Sequence, residues 1–131
     1  MKVLLDEHLP PRLARALNEL FGPADRVIAL RERFGPGVKD AEWIEALNKE
    51  GRWVIISADR RITRNRAEFH AFRNSRLIGF FLARGLYKAK LGKQAERIIA
   101  LWPDIAVLAD TVEGGAMFEL PMKARIKQLK I

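Results

Sequence analysis

Three aspartates stand where a fold can bring carboxylates together. Asp6 follows the short apolar stretch Lys2 to Leu5, Asp40 heads an amphipathic segment, and Asp59 comes just after Trp53-Val54-Ile55-Ile56. Crowded carboxylates repel and raise one another's pKa unless a cation neutralises them, so such a cluster asks for a metal. Oxygen ligands with open water positions suit Mg²⁺ or Mn²⁺, which activate water and stabilise charge on a phosphate. The chain has no cysteine and only two histidines, His8 and His70. Thiol nucleophiles, disulfides and cysteine-based zinc sites are thereby excluded.

Each acid also has a plainer reading. Asp40 suits an N-cap, and Asp59 suits a turn after its strand. Asp6 is harder to set aside, because an acid directly after a buried strand is costly unless it is solvated or coordinated. Strand alternation points Glu7 away from Asp6, and Glu42 and Glu45 read as the solvated face of their helix. His8 reads as structural or solvent-facing, since no partner ligand stands at metal-site spacing.

The elements that must position these acids follow from periodicity. Lys2 to Leu5 reads as a strand, and Pro10 and Pro11 open a helix carrying Leu13, Ala16, Leu17 and Leu20 that Gly22-Pro23 stops. Arg26 to Leu30 is a second strand, and Gly35-Pro36-Gly37 delivers the chain to Asp40 and a helix from about Ala41 to Asn48. Trp53 to Ile56 is a continuous apolar strand of the kind covered on both faces. Asn65 and Glu68 have capping-box spacing, so a helix starts at Arg66 and buries Phe69 and Phe72. Leu77 to Leu82 is another buried strand. A helix using Ala95, Ile98 and Ile99 is expected to end near Trp102, before Pro103 and a last apolar run from Ile105 to Ala109. Residues 110–131 supply an edge strand around Ala116 to Leu120 and a short basic helix.

Strands alternating with helices imply a three-layer α/β/α fold with a mainly parallel central sheet. In such sheets ligands bind beyond the carboxyl ends of the strands, which is where Asp6 and Asp59 fall. At 131 residues the chain is expected to be a single domain, 1–131. Its longest apolar run, Leu77 to Ala83, is far short of the roughly 20 residues of a membrane-spanning helix. No apolar signal-peptide core precedes Asp6, and a cytoplasmic protein is expected.

The formal charge is +8, which points to a polyanionic partner. The excess is clustered: Arg60, Arg61, Arg64, Arg66, Arg73 and Arg76 crowd one stretch, and Lys123, Arg125, Lys127 and Lys130 crowd the tail. Phe69, Phe72, Phe80 and Phe81, with Trp43 and Trp53, belong to the core by their spacing. Tyr87, beside Lys88 and Lys90, is left as the aromatic able to touch nucleic acid.

The string Val3-Leu4-Leu5-Asp6-Glu7-His8-Leu9-Pro10, an Asp40 opening a helix, and Val54-Ile55-Ile56-Ser57-Ala58-Asp59-Arg60-Arg61-Ile62 together resemble the PIN-like family that includes VapC-type toxins. The resemblance covers about residues 1 to 85. It implies a metal-dependent endoribonuclease, with Asp6, Asp40 and Asp59 as catalytic residues and ligands of Mg²⁺ or Mn²⁺. It further implies RNA as substrate, a toxin neutralised by a cognate antitoxin, and a homodimer. The larger family usually carries a fourth acid close to the last of the three, where this chain has Arg60 and Arg61. Glu7 and Glu42 stand as alternatives for that position. Arg60, Arg61, Arg64 and Arg66 are expected to grip RNA phosphates. The competing reading is an inactive PIN-like module that binds nucleic acid or protein.

Overall fold

The computed structural model describes residues 1–129, so Lys130 of the basic tail lies outside the described residues. Six strands form one sheet: β1 (Lys2–Leu5), β2 (Arg26–Ala29), β3 (Trp53–Ser57), β4 (Ile78–Leu82), β5 (Met117–Leu120) and β6 (Lys127–Gln128). Their order is β2-β1-β3-β4-β5-β6, and all neighbours run parallel except the antiparallel pair β5 and β6. The chain reverses its direction of winding between β1 and β3, so a crevice opens at their carboxyl ends.

Helices cover both faces, completing the three-layer α/β/α arrangement. On one face α1 (Pro11–Phe21) and α7 (Leu91–Thr111) pack Leu13, Leu17, Ile98 and Ile105 against Leu5, Ile56 and Phe80. On the other, α3 (Asp40–Glu50) and α5 (Arg66–Arg73) pack Trp43, Leu47 and Phe72 against Leu4, Ile55 and Phe81. Trp53 through Ile56 are wholly buried, as a strand flanked by two helical layers must be. Phe80 stacks on Phe118 at 5.2 Å between ring centroids, and Phe72 meets Phe81 edge-on at 6.4 Å. Among the described residues no helix is long and apolar enough to cross a membrane.

Several elements depart from the sequence reading. The helix expected to end near Trp102 continues through Pro103 to Thr111. Proline removes one backbone donor and crowds the carbonyl four residues earlier, here that of the exposed Ile99. That position lies on the exposed side of the helix, while Ile105 and Ala109 beyond it reward continuation by burial. The stretch Ala116 to Leu120 is not an edge: β5 is flanked by β4 and β6, and Lys127–Gln128 pair as a strand where a basic helix was expected. On α1 the buried residues are Leu13, Ala14 and Leu17, while Ala16 and Leu20 face solvent. Three one-turn helices were not foreseen: α2 (Leu30–Phe34), α4 (Arg61–Arg64) and α6 (Arg84–Tyr87).

Gly115 launches β5 and is held on every side. Its backbone N–H donates to Leu77 O at 2.7 Å, its carbonyl accepts from Arg73 Nη1 at 3.0 Å, and its φ is +90°. A Cβ there would lie 2.1 Å from the backbone oxygen of Arg73. Gly115→Ala is therefore expected to lower stability by about 3 kcal/mol or more, combining a disfavoured φ with a backbone clash. Urea denaturation checks this as a fall in midpoint at constant slope.

Candidate active site

Asp6 sits immediately beyond β1, its backbone N–H donating to Ile56 O of β3 at 3.1 Å. This bond extends the β1–β3 ladder by one residue and draws the carboxylate in with it, leaving Asp6 only 8% exposed. Ser57, the last residue of β3, donates its hydroxyl to Asp6 Oδ2, while Asp6 Oδ1 accepts the backbone N–H of His8 at 3.1 Å. Burial nevertheless outweighs these bonds. The Asp6 carboxyl is pushed up to about 6, mainly by desolvation, with the Asp59 charge adding to it. The same Ser57 oxygen accepts the backbone N–H of Asp59 at 3.0 Å, so one hydroxyl ties both strand-end acids together.

Asp40 comes from the first turn of α3. It is not the N-cap: Lys39 holds that place, without a side-chain cap. The Asp40 carboxylate accepts the indole N–H of Trp43, one turn on, at 2.8 Å. A second acid, Glu68 of α5, comes within hydrogen-bonding reach of it. Glu68 is raised above the usual carboxylate range, first by desolvation and then by the neighbouring Asp40 charge. Asn65 does cap α5, its Oδ1 accepting Glu68 N–H at 3.1 Å. The backbone N–H of Asn65 goes instead to Arg61 O, so only one half of the reciprocal capping pair is made.

Asp59 lies in the bend between β3 and α4. Its Oδ1 accepts the backbone N–H of Arg61 at 2.9 Å, which makes it a turn residue as well as a site residue. Its Oδ2 accepts from Arg61 Nε and lies 3.1 Å from His8 Nε2. Arg61 Nη2 is also 3.1 Å from His8 Nε2. That nitrogen either donates to Asp59 or accepts from Arg61, and the imidazole tautomer decides which.

Asp6, Asp40 and Asp59 thus line one narrow crevice, together with Glu7, His8 and Arg61. Glu42 is exposed on α3 and does not line it. Next to the crevice lies a cleft of about 620 Å³, bounded by Asp59, Arg60, Arg64, Arg84, Tyr87 and Lys88. Glu119 closes its far side by pairing with Arg60. Of the four arginines expected to grip phosphate, Arg60 and Arg64 face this cleft, Arg61 turns into the crevice, and Arg66 does neither. Arg84 and Lys88 come from α6 and its C-cap, beyond the arginine-rich stretch and across β4 from it in sequence.

The donor set fits a hard divalent cation in kind: carboxylate oxygens from Asp6, Asp40, Asp59 and Glu68, two of them with pKa raised, first of all by burial. As they stand, no three His, Asp or Glu side chains among the described residues converge tightly enough to hold a metal ion. Both oxygens of Asp59 are engaged by Arg61. Ser57 and Glu68 were passed over in the sequence. A serine closing an otherwise apolar strand was the available signal for Ser57. Capping-box spacing already accounted for Glu68 and concealed it.

A family model described as a PIN like domain matches residues 1–84, more than half the chain. None of the curated proteins and none of the solved structures matches it. The matched segment contains every acid of the crevice, while Arg84 is the last matched residue and Tyr87 and Lys88 fall beyond it.

The raised Asp6 carboxyl makes stability depend on pH. Below the unfolded value near 3.8 both states are protonated and there is no penalty. Between that value and about 6 the folded state keeps a proton that the unfolded state releases, so stability falls as pH rises, and above about 6 the loss is complete. Asp6→Asn in EDTA is expected to be more stable than the parent chain at pH 7.5, by up to about 3 kcal/mol, and no different near pH 4. Urea titrations at the two pH values check this. A gain of equal size at both would mean that charge burial is not its cause.

Proposed function

The chain belongs to the PIN-like domain family, a family of nuclease-type modules, and on that premise we propose that it is a metal-dependent endoribonuclease hydrolysing RNA phosphodiesters, the toxin of a toxin–antitoxin pair. One observation carries the catalytic reading: Asp59 lines both the acidic crevice and the basic cleft. A polyanion lying in the cleft would bring a phosphate to the acids.

Asp6, Asp40, Asp59 and Glu68 would hold Mg²⁺ or Mn²⁺, which supplies Lewis acidity toward water and charge for the phosphoryl oxygens. The remaining work falls to the chain itself. Ser57 restrains Asp6, and Trp43 restrains Asp40, each fixing the face a carboxylate turns to the crevice. Arg64, Arg84 and Lys88 neutralise backbone phosphates, and Arg60 does so while tethered to Glu119. Tyr87, 46% exposed at the cleft wall, offers an aromatic face on which an unpaired base can stack, which favours single-stranded substrate. The toxin role rests on the resemblance to VapC-type proteins.

The test is cleavage of labelled single-stranded RNA and matching DNA with Mn²⁺, Mg²⁺ or EDTA. Metal-dependent cleavage of RNA is expected, with Asp6→Asn and Asp59→Asn each losing at least about a hundredfold in rate, several kcal/mol of transition-state charge stabilisation. RNA that binds yet stays intact under every metal condition would replace this reading with that of an inactive binding module. A second measurement follows from the cleft. Binding should weaken steeply with salt, and Arg84→Ala and Lys88→Ala should each reduce the slope of log K against log salt by about 1.

A further inference from the structure

The crevice already contains a cation, and the chain supplies it. Arg61 Nε donates to Asp59 Oδ2, its Nη2 lies 3.1 Å from His8 Nε2, and the charges of Asp40 and Glu68 are close enough to act on it. Its hold is electrostatic and shallow. The side chain is 67% exposed, and exposed ion pairs are worth little because water and salt screen them. The neighbouring Arg60 is bound elsewhere, to Glu119, and Arg64 faces the cleft, so neither shares this place. Arg61 also engages both oxygens of Asp59, through its backbone N–H and its Nε, and shares Oδ2 with His8.

We infer that Arg61 is an exchangeable counter-ion of the acidic crevice: its guanidinium neutralises Asp59 in the metal-free protein and must leave that carboxylate for a divalent cation to bind. The inference rests on the nuclease reading above, since it takes a divalent cation as the competitor. Two physical points support it. Like charges a few ångström apart repel, and a divalent ion doubles the repulsion of a unit charge, so both cannot occupy the crevice without loss. A flexible, largely hydrated side chain can swing away without disturbing packing. The backbone bond from Arg61 N to Asp59 Oδ1 survives such a swing, so the bend that positions Asp59 is kept. A protein in which a resident cation must first be displaced binds metal more weakly than its bare carboxylates would, by the fraction of time the site stands open.

The test is Mn²⁺ binding followed by electron paramagnetic resonance on the full chain, in parallel for the parent sequence, Arg61→Gln and Arg64→Gln. Arg64→Gln removes the same formal charge from the adjoining cleft and controls for net charge. Arg61→Gln is expected to bind Mn²⁺ at least about tenfold more tightly than the parent, equivalent to about 1.4 kcal/mol. Arg64→Gln should stay within about twofold, because solvent and salt screen the more distant charge. Equal or weaker binding by Arg61→Gln, with Mn²⁺ still bound by the parent, overturns the exchange and leaves the metal site standing. A matching gain in Arg64→Gln overturns it as well, reducing the effect to bulk charge. If none of the three proteins binds Mn²⁺ saturably, the metal-dependent reading and the exchange fall together.

Discussion

Parallel pairing of β1 with both β2 and β3 is the constraint on which the rest depends. It places β1 between two neighbours inside a covered sheet, where Val3, Leu4 and Leu5 lose all contact with water. The next residue, Asp6, continues the ladder by one bond and is buried with them. A carboxylate drawn in this way is desolvated whether or not it has a partner. The neighbouring strand ends in Ser57 and Asp59 at the same edge, so one hydroxyl must serve an acid from each strand. The unfavourable charge at this edge is thus a direct consequence of the strand order, and Arg61, His8 and Ser57 are its local compensation.

The two signs of charge are sorted by different kinds of structure. Three of the acids stand on or directly beside regular elements: the end of β1 for Asp6, the first turn of α3 for Asp40, and α5 for Glu68, while Asp59 lies in the bend between β3 and α4. The basic residues of the cleft stand on one-turn helices and their flanks, α4 for Arg64 and α6 with its C-cap for Arg84 and Lys88. Groups that must be held against their own repulsion need a stiff frame. In the proposed reading the basic groups would follow a flexible polyanion and tolerate a looser frame, because phosphate contacts depend on charge more than on fine geometry.

Much of the fold was legible because its signals are local. Four strands with their helices, the buried sheet centre at Trp53 to Ile56, and the capping role of Asn65 follow from periodicity, β-branched content and cap spacing. The misreadings came where tertiary contact overrode a local rule. Pro103 ordinarily ends a helix, yet the core beyond it made continuation favourable. Ala16 and Leu20 fit the helical repeat, but α1 turned by about one residue to bury Ala14.

By itself the sequence determined which acids could meet. Asp6 and Asp59 end strands of one parallel sheet, and Asp40 begins a helix leading to that sheet, so topology alone sends all three to its carboxyl edge. It also excluded thiol chemistry and disulfides, since it contains no cysteine. Only the tertiary structure decided which partners complete the edge. Glu68 lies 28 residues beyond Asp40, and Arg84 and Lys88 lie more than 20 residues beyond Asp59. Only packing α5 beside α3, and β4 beside β3, brings them there. The same holds for Arg61, which reads as one basic residue among several. Its position inside the acidic crevice is set by the bend after β3, where the aspartate that turns the chain also receives the arginine's charge.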